Sequence, residues 1–377
     1  MPQRTIMIVG LGNMGGHVLD MMLRRPDSPR IIVAGRDATQ LERRANLSVL
    51  AATHLGYEPN VDTAVLDVHD IDRTAETLAR LRPDIILSTV SLQAWWVVTE
   101  LPAPILDDLT QAEIGPWLPM QLTLIYKLMQ AVRASGIDTR VANAALPDAT
   151  HKILNSIGLA PTVGIGNVAN AVPALRRASA EVLGEPLSRV TVRLVAEHFA
   201  TTRLPRKGHA DGAPFHFSVY RDGTDVTDTL DVEQVLKTAA SRYPRTGGKV
   251  GVMLTAASAV TVLDALMSED EVLVHTPGPL SLIGGYPAWV SSTNVSLALP
   301  DSLSLEEAKR INAGGLVHEG IDEIGEDGSV RYGEKHMSVM KRTLGYECST
   351  MRLEDTEAQA AEIAARYAEL VRRVRAA

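Results

Sequence analysis

Gly10, Gly12 and Gly15 stand in G-x-G-x-x-G spacing at the end of an apolar run, Ile6 to Val9, and a helical pattern follows. Glycines so placed suit a dinucleotide. The first permits a tight turn, the second lets a pyrophosphate approach the backbone, and the third lets helix and strand pack closely. The helix N-terminus then holds the anion, with Asn13 and Met14 in the turn beside it. A second strand, 30–34, follows at βαβ distance, the context that the motif requires. At its end come Gly35, Arg36 and Asp37. An acidic residue at the tip accepts hydrogen bonds from a ribose 2′-hydroxyl; a glycine leaves room for a 2′-phosphate, and a guanidinium pairs with it. The expected cofactor is NADP(H). NAD is possible if Asp37 turns inward.

Of the ten histidines, His151, His198, His209, His216 and His275 are candidates for proton transfer, which suits a side chain that titrates near neutrality. Other chemistries find little support. There is no H-E-x-x-H and no clustered His/carboxylate spacing, so no metal site is expected, and no G-x-S-x-G elbow occurs. The basic stretch RLPRKGH (203–209) reads as an exposed loop, with phosphate or carboxylate binding as the alternative.

The elements that must position these residues come from a chain of 377 residues, 45% hydrophobic and 22% charged, which reads as an ordinary globular protein of two units. A formal net charge of −8 argues against nucleic acid or an anionic membrane as partner. Cys348 is the only cysteine, so no intrachain disulfide forms, and a reducing compartment is expected. The opening apolar run reads as a strand and not a signal peptide, and no 18-residue apolar stretch stands out; the expectation is a cytoplasmic protein. Helices at 38–55, 70–81, 121–134 and 148–157 alternate with strands at 61–68, 84–90, 140–143 and 162–165. That alternation predicts a doubly wound parallel sheet, a Rossmann unit over 1–166. Ser88 and Thr89, ending the fourth strand, would line its crevice. Beyond it the pattern predicts an α+β unit, 167–377. It has a helix at 171–183, a strand at 189–197, a hairpin turning at Asp222-Gly223, and helices at 232–242 and 251–267. Paired strands at 271–275 and 292–299, a turn at Asp327-Gly328 and a closing helix at 356–375 complete it.

The order of these parts resembles the lactate/malate dehydrogenase superfamily over nearly the whole chain. VANAALPD (141–148), GLAPTVGIGN (158–167), VRLVAEHF (192–199), GGKVGVMLTAASAVTVLDAL (247–266) and GGYPAWVSSTNVSLALP (284–300) carry the resemblance. It implies a catalytic α+β unit, a homodimer or homotetramer, and a small-molecule substrate. It also implies that His198 handles the proton accompanying hydride transfer and that Asn143 touches nicotinamide or substrate. The family's orienting aspartate falls at Asn170 (or Asn167), with Glu197 or Asp148 as compensating acids. Its substrate arginine falls near Pro173, leaving Arg176 as the nearest substitute. Its lid arginines are missing: no Lys or Arg occurs between Arg82 and Lys127, while Glu100, Asp107, Asp108 and Glu113 do. Trp95, Trp96 and Trp117 are expected to pack this lid. An acidic lid would repel a dicarboxylate and admit a neutral or amine-bearing substrate; the alternative is that these carboxylates are solvated surface charges. The first 90 residues equally resemble saccharopine-type NADP reductases, which makes an opine-type imine reductase the alternative. A dinucleotide-binding regulator without turnover is a third reading.

Overall fold

The computed structural model describes residues 4–376. Six strands, β1 (Thr5–Val9), β2 (Arg30–Gly35), β3 (Val61–Val65), β4 (Ile85–Ser88), β5 (Arg140–Asn143) and β6 (Val163–Gly164), pair in parallel. Their order is β3-β2-β1-β4-β5-β6, so the topological switch lies between β1 and β4, where a doubly wound sheet opens its ligand crevice. β1 is buried at every position, as a strand covered on both faces must be. The helices α1 (Asn13–Leu23), α2 (Ala38–His54), α3 (Ile71–Leu81), α4 (Ala103–Thr110), α5 (Leu118–Ser135) and α6 (Pro147–Asn155) belong to this unit. Asp37 and Asp70 cap α2 and α3 by accepting from the backbone N–H three residues on.

The second unit holds α7 (Val168–Leu183), α8 (His198–Lys207), α9 (Val232–Arg242), α10 (Gly248–Met267), α11 (Leu305–His318), α12 (Glu334–Leu344) and α13 (Thr356–Ala376). Three small antiparallel sheets join them. β7 (Val190–Val195), β8 (His216–Arg221) and β9 (Thr224–Asp225) form one; β10 (Val272–Pro277), β11 (Gly285–Val290) and β12 (Val295–Leu297) another; β13 (Ile321–Ile324), β14 (Val330–Tyr332) and β15 (Thr350–Met351) the third. The units share core: Ile363, Tyr367 and Leu370 of α13 bury in one cluster with Leu122 and Ile125 of α5 and Leu78 of α3.

Several sequence expectations are corrected. The 203–209 stretch is not a loop: α8 runs through it to Gly208, a left-handed cap. The strands at 271–275 and 292–299 do not pair directly, because β11, an apolar strand containing Pro287, lies between β10 and β12. The lid carries helical structure, a 3₁₀ turn at Trp95–Glu100 and then α4. The paired-strand region is followed by two helices, α11 and α12, in a segment read as merely polar. The apolar run is also longer than expected: α10 is the one helix among the described residues long and apolar enough to cross a membrane. It lies along α1 and β10, burying Ala256, Ala259, Val262, Leu263 and Leu266.

Gly15 shows why this fold needs its third glycine. A Cβ there would lie 2.0 Å from the carbonyl oxygen of Gly10, which itself sits at φ +97°. Gly15→Val is therefore expected to cost about 1–3 kcal/mol through overpacking, read as a lower Tm, together with loss of dinucleotide binding. A variant as stable as the parent would contradict this packing.

Candidate active site

The glycine turn fits a dinucleotide on observations internal to this chain. Gly12, the N-cap of α1, supplies no side-chain cap, and nothing lies within 4 Å of where its Cβ would be. The first turn of α1 therefore points its N–H groups into open space, an arrangement suited to a pyrophosphate. The buried hydroxyl of Ser88 has no partner and borders this crevice from β4. Thr89 is committed instead, donating to the Gly10 carbonyl at 2.6 Å and holding the turn. Asn13 Nδ2 donates to Lys249 O at 2.8 Å, tying the turn to α10, and Met14 packs into the core beneath it. At the tip of β2, Asp37 accepts from Gln40 N at 3.0 Å as the cap of α2, so its carboxylate is not turned inward. Arg36 is exposed and unpaired.

His198 begins α8, behind the buried Glu197 whose Oε2 accepts from Phe199 N at 2.7 Å. Its Nδ1 lies 3.0 Å from Oε2 of Glu319, a residue 121 positions later at the end of α11. Glu319 is 2% exposed. It also holds the far end of the lid, its Oε1 accepting from Ile114 N at 3.3 Å and its backbone oxygen from Gly115 N at 3.0 Å. Burial works against a charge on His198, but the charge and hydrogen bond of Glu319, with Asp148 and Glu113 nearby, hold it above the usual imidazole range. Burial likewise opposes ionisation of Glu319, and His198 outweighs it, leaving the carboxyl below its usual range. Among the described residues the imidazole Nε2 has no hydrogen-bond partner, which leaves it available to a ligand.

The remaining acids are pushed the other way. Burial, then Glu319, raises Glu113 to about 7 even though Arg203 pairs with it. Burial raises Asp148 to about 6, against the pull of His198 and of the Asn167 amide that donates to its Oδ2. Glu197 is raised well above its usual range by burial and by Glu319 and Asp148. Such divergence, one carboxyl lowered beside several that are raised, is what an acid–base site requires.

The structure separates several residues that the sequence grouped. Asn170 does not reach His198: its Nδ2 donates to Thr255 of α10 at 3.0 Å, and Glu319 takes the orienting place. Asn167 lies nearer, through Asp148. Asn143 is fully buried and its amide is spent on Ala145 and Thr150, clamping the turn after β5. Arg176 donates to the carbonyls of Val190 and Leu187 and is not free for a substrate. Of the lid acids, Glu100, Asp107 and Asp108 face solvent and only Glu113 turns inward. Trp117 is buried edge-on between Trp95 and Tyr367, so lid tryptophans do pack. His151 and His275 are buried, with burial lowering them to about 4 and about 3. His209 pairs with Asp211 and His216 with Ser218. Glu319 was not singled out in the sequence, where it is one of 45 acidic residues with no motif around it.

No protein-family model matches the chain, and no curated protein matches it. Solved structures do. A malate dehydrogenase from Cryptosporidium parvum is 14% identical over 84% of this chain and 96% of that one, at a TM-score of 0.57. A lactate dehydrogenase from Eimeria maxima, with NADH and oxamate, is 13% identical over 84% and 93%, at 0.56. A malate dehydrogenase from Plasmodium falciparum is 11% identical over 90% and 100%, at 0.56. The chain has the lactate/malate dehydrogenase fold, a Rossmann sheet followed by an α+β unit.

Glu319→Gln removes the charge and keeps the volume. The His198 titration, followed by NMR, is expected to move to lower pH, its proton affinity falling about tenfold or more. An unmoved titration would mean that Glu319 does not set it. Stability should also depend on pH. Asp148 and Glu113 have raised values, and so does His198, so each binds its proton more tightly folded than unfolded. Their contribution is lost as pH rises, opposite in sign to that of buried His151 and His275, whose lowered values add stability as pH rises through about 6.5. Asp148→Asn removes one falling contribution, so its Tm is expected to gain on wild type between about pH 4 and 6; a variant that loses ground to wild type across that range would contradict this.

Proposed function

We propose that this chain is an NADP(H)-dependent oxidoreductase that moves a hydride between nicotinamide and a carbonyl or imine carbon of a small metabolite. The bound nicotinamide supplies the hydride chemistry; the protein's part is to hold both partners and manage the proton. The observation that carries the reading is His198, with Nδ1 fixed on an ionised, buried Glu319 and Nε2 left without a protein partner. Held protonated above its usual range, its Nε2–H can donate to the oxygen or nitrogen that gains negative charge on reduction. In the reverse direction the same nitrogen accepts that proton. Glu319 balances the imidazolium charge, a task that an amide at Asn170 could not perform.

Preference for NADP(H) rests on Gly35 and on the exposed, unpaired Arg36, together with the commitment of Asp37 to its helix cap. The acids crowded round His198 favour a substrate whose reacting end is neutral or bears an amine, because a second carboxylate there would meet Glu319 and Asp148. That crowding also supports the imine reading, in which an amine-bearing substrate meets Glu113. A homodimer or homotetramer is supported by exposed apolar side chains, Leu47 and Leu50 on α2 and Val250 and Met253 on α10.

Two experiments test these points. Arg36→Ala should erase most of the preference of NADPH over NADH, a contribution on the order of 2 kcal/mol for a charged hydrogen bond; equal wild-type affinities for the two would remove it. With a substrate found by following NADPH oxidation over keto acids, aldehydes and keto acid–amine mixtures, His198→Gln should leave NADPH affinity near wild type. Turnover should fall by about 10²–10⁴-fold. Full activity in that variant would exclude His198 as the proton carrier.

A further inference from the structure

Positive charge is absent from the lid, and Arg176 and Arg203 are already engaged, yet two other guanidiniums meet at the start of α10. Arg206 lies near the end of α8, two turns beyond His198 and on a similar face. Its guanidinium rests against Gly247, where a Cβ would come within 3.5 Å of Nη2. Arg245, in the segment between α9 and α10, is partly buried and donates through Nη1 to the backbone oxygen of Asn170. Neither arginine pairs with a carboxylate among the described residues. Burial first, and the charge of Arg206 second, lower Arg245 to about 10. Two like charges drawn together and partly desolvated are unfavourable until an anion joins them.

The surroundings suit an anion and lie at the cleft. Gly247 is the N-cap of the 20-residue α10 and offers no side-chain cap, so its first N–H groups face the same place as the guanidiniums. Lys249 at that helix start accepts from Asn13 of the glycine turn, and a Cβ on Gly248 would lie 3.4 Å from Thr99 of the lid. Turn, lid and α8 thus converge on the arginine pair.

We propose that Arg206, Arg245 and the N-terminus of α10 bind an oxyanion, a carboxylate or phosphate, carried by the substrate. The inference rests on the oxidoreductase reading for calling that ligand a substrate. Along α8, Arg206 stands roughly 12 Å from His198 by helix rise. The substrate is then bipolar: a neutral or amine-bearing end at His198 and an anionic group several bonds away.

Calorimetric titration of the whole chain with inorganic phosphate, and separately with NADPH, tests this. Wild type should bind phosphate alone and in the presence of saturating NADPH. Arg206→Gln, Arg245→Gln and the double variant should weaken phosphate about tenfold or more while leaving the NADPH Kd within twofold. Phosphate affinity unchanged in the variants would overturn the proposal. So would NADPH affinity falling in step with it, which would assign the arginines to the cofactor's phosphates. Arg206 is exposed, so Arg206→Gln remains a valid test even if Arg245→Gln fails to fold, and Arg245→Lys should retain most of the binding. A wild type that binds no NADPH would defeat the oxidoreductase reading, while the phosphate titrations still decide the anion site.

Discussion

The pairing of His198 with Glu319 organises this molecule's candidate chemistry, because one buried carboxylate does three things at once. It fixes the imidazole through Nδ1, supplies the charge that raises the ring's proton affinity, and anchors the end of the lid through Ile114 and Gly115. A buried ion pair of this kind gains little stability over an apolar one, so its value lies in orientation and proton affinity. The surrounding acids add to the constraint. Only Glu319 among them is held below its usual range, and the cost of crowding falls on Asp148, Glu197 and Glu113, whose proton affinities are raised.

That arrangement depends on elements far apart in the chain. β7 delivers His198 to the start of α8, and the bridge between Ala196 and Gly285 sets its height against β11. α11 brings Glu319, and Gly315 lets that helix pass close to Glu197, whose Cβ lies 2.5 Å from where a Cβ on Gly315 would sit. The lid reaches the same point from the Rossmann unit, and α10 joins the glycine turn through Asn13. The glycine turn and His198 are therefore linked through packing of the second unit on the first, and through the lid between them.

The sheet was legible because its signals are local. Period, apolar runs and glycine spacing determine each strand and turn, and the order of these segments determines the parallel sheet. His198 was singled out from the other histidines only through the resemblance of VRLVAEHF to the lactate/malate dehydrogenase strand that ends in Glu-His. Its partner was not, because a carboxylate supplied from 121 residues away leaves no spacing to read, and the amide expected there, Asn170 of α7, donates to Thr255 of α10 instead. The lid left two readings open, an acidic filter or solvated surface charges; exposure puts Glu100, Asp107 and Asp108 in solvent and turns only Glu113 inward. The 203–209 stretch resisted reading because Pro205 and Gly208 are turn signals, whereas here Pro205 falls inside a helix that Gly208 ends.

The most direct test of the account is a crystal structure of the NADPH complex, with the distance from nicotinamide C4 to His198 Nε2 as its readout. A substrate carbon in near-attack contact with C4, its oxygen or nitrogen hydrogen-bonded to Nε2, sets that distance at roughly 5–6 Å. The account predicts this separation, with the cofactor's pyrophosphate over Gly12. A nicotinamide ring facing away from His198, or lying more than about 10 Å from Nε2, leaves no room for shared chemistry at one atom and would contradict it.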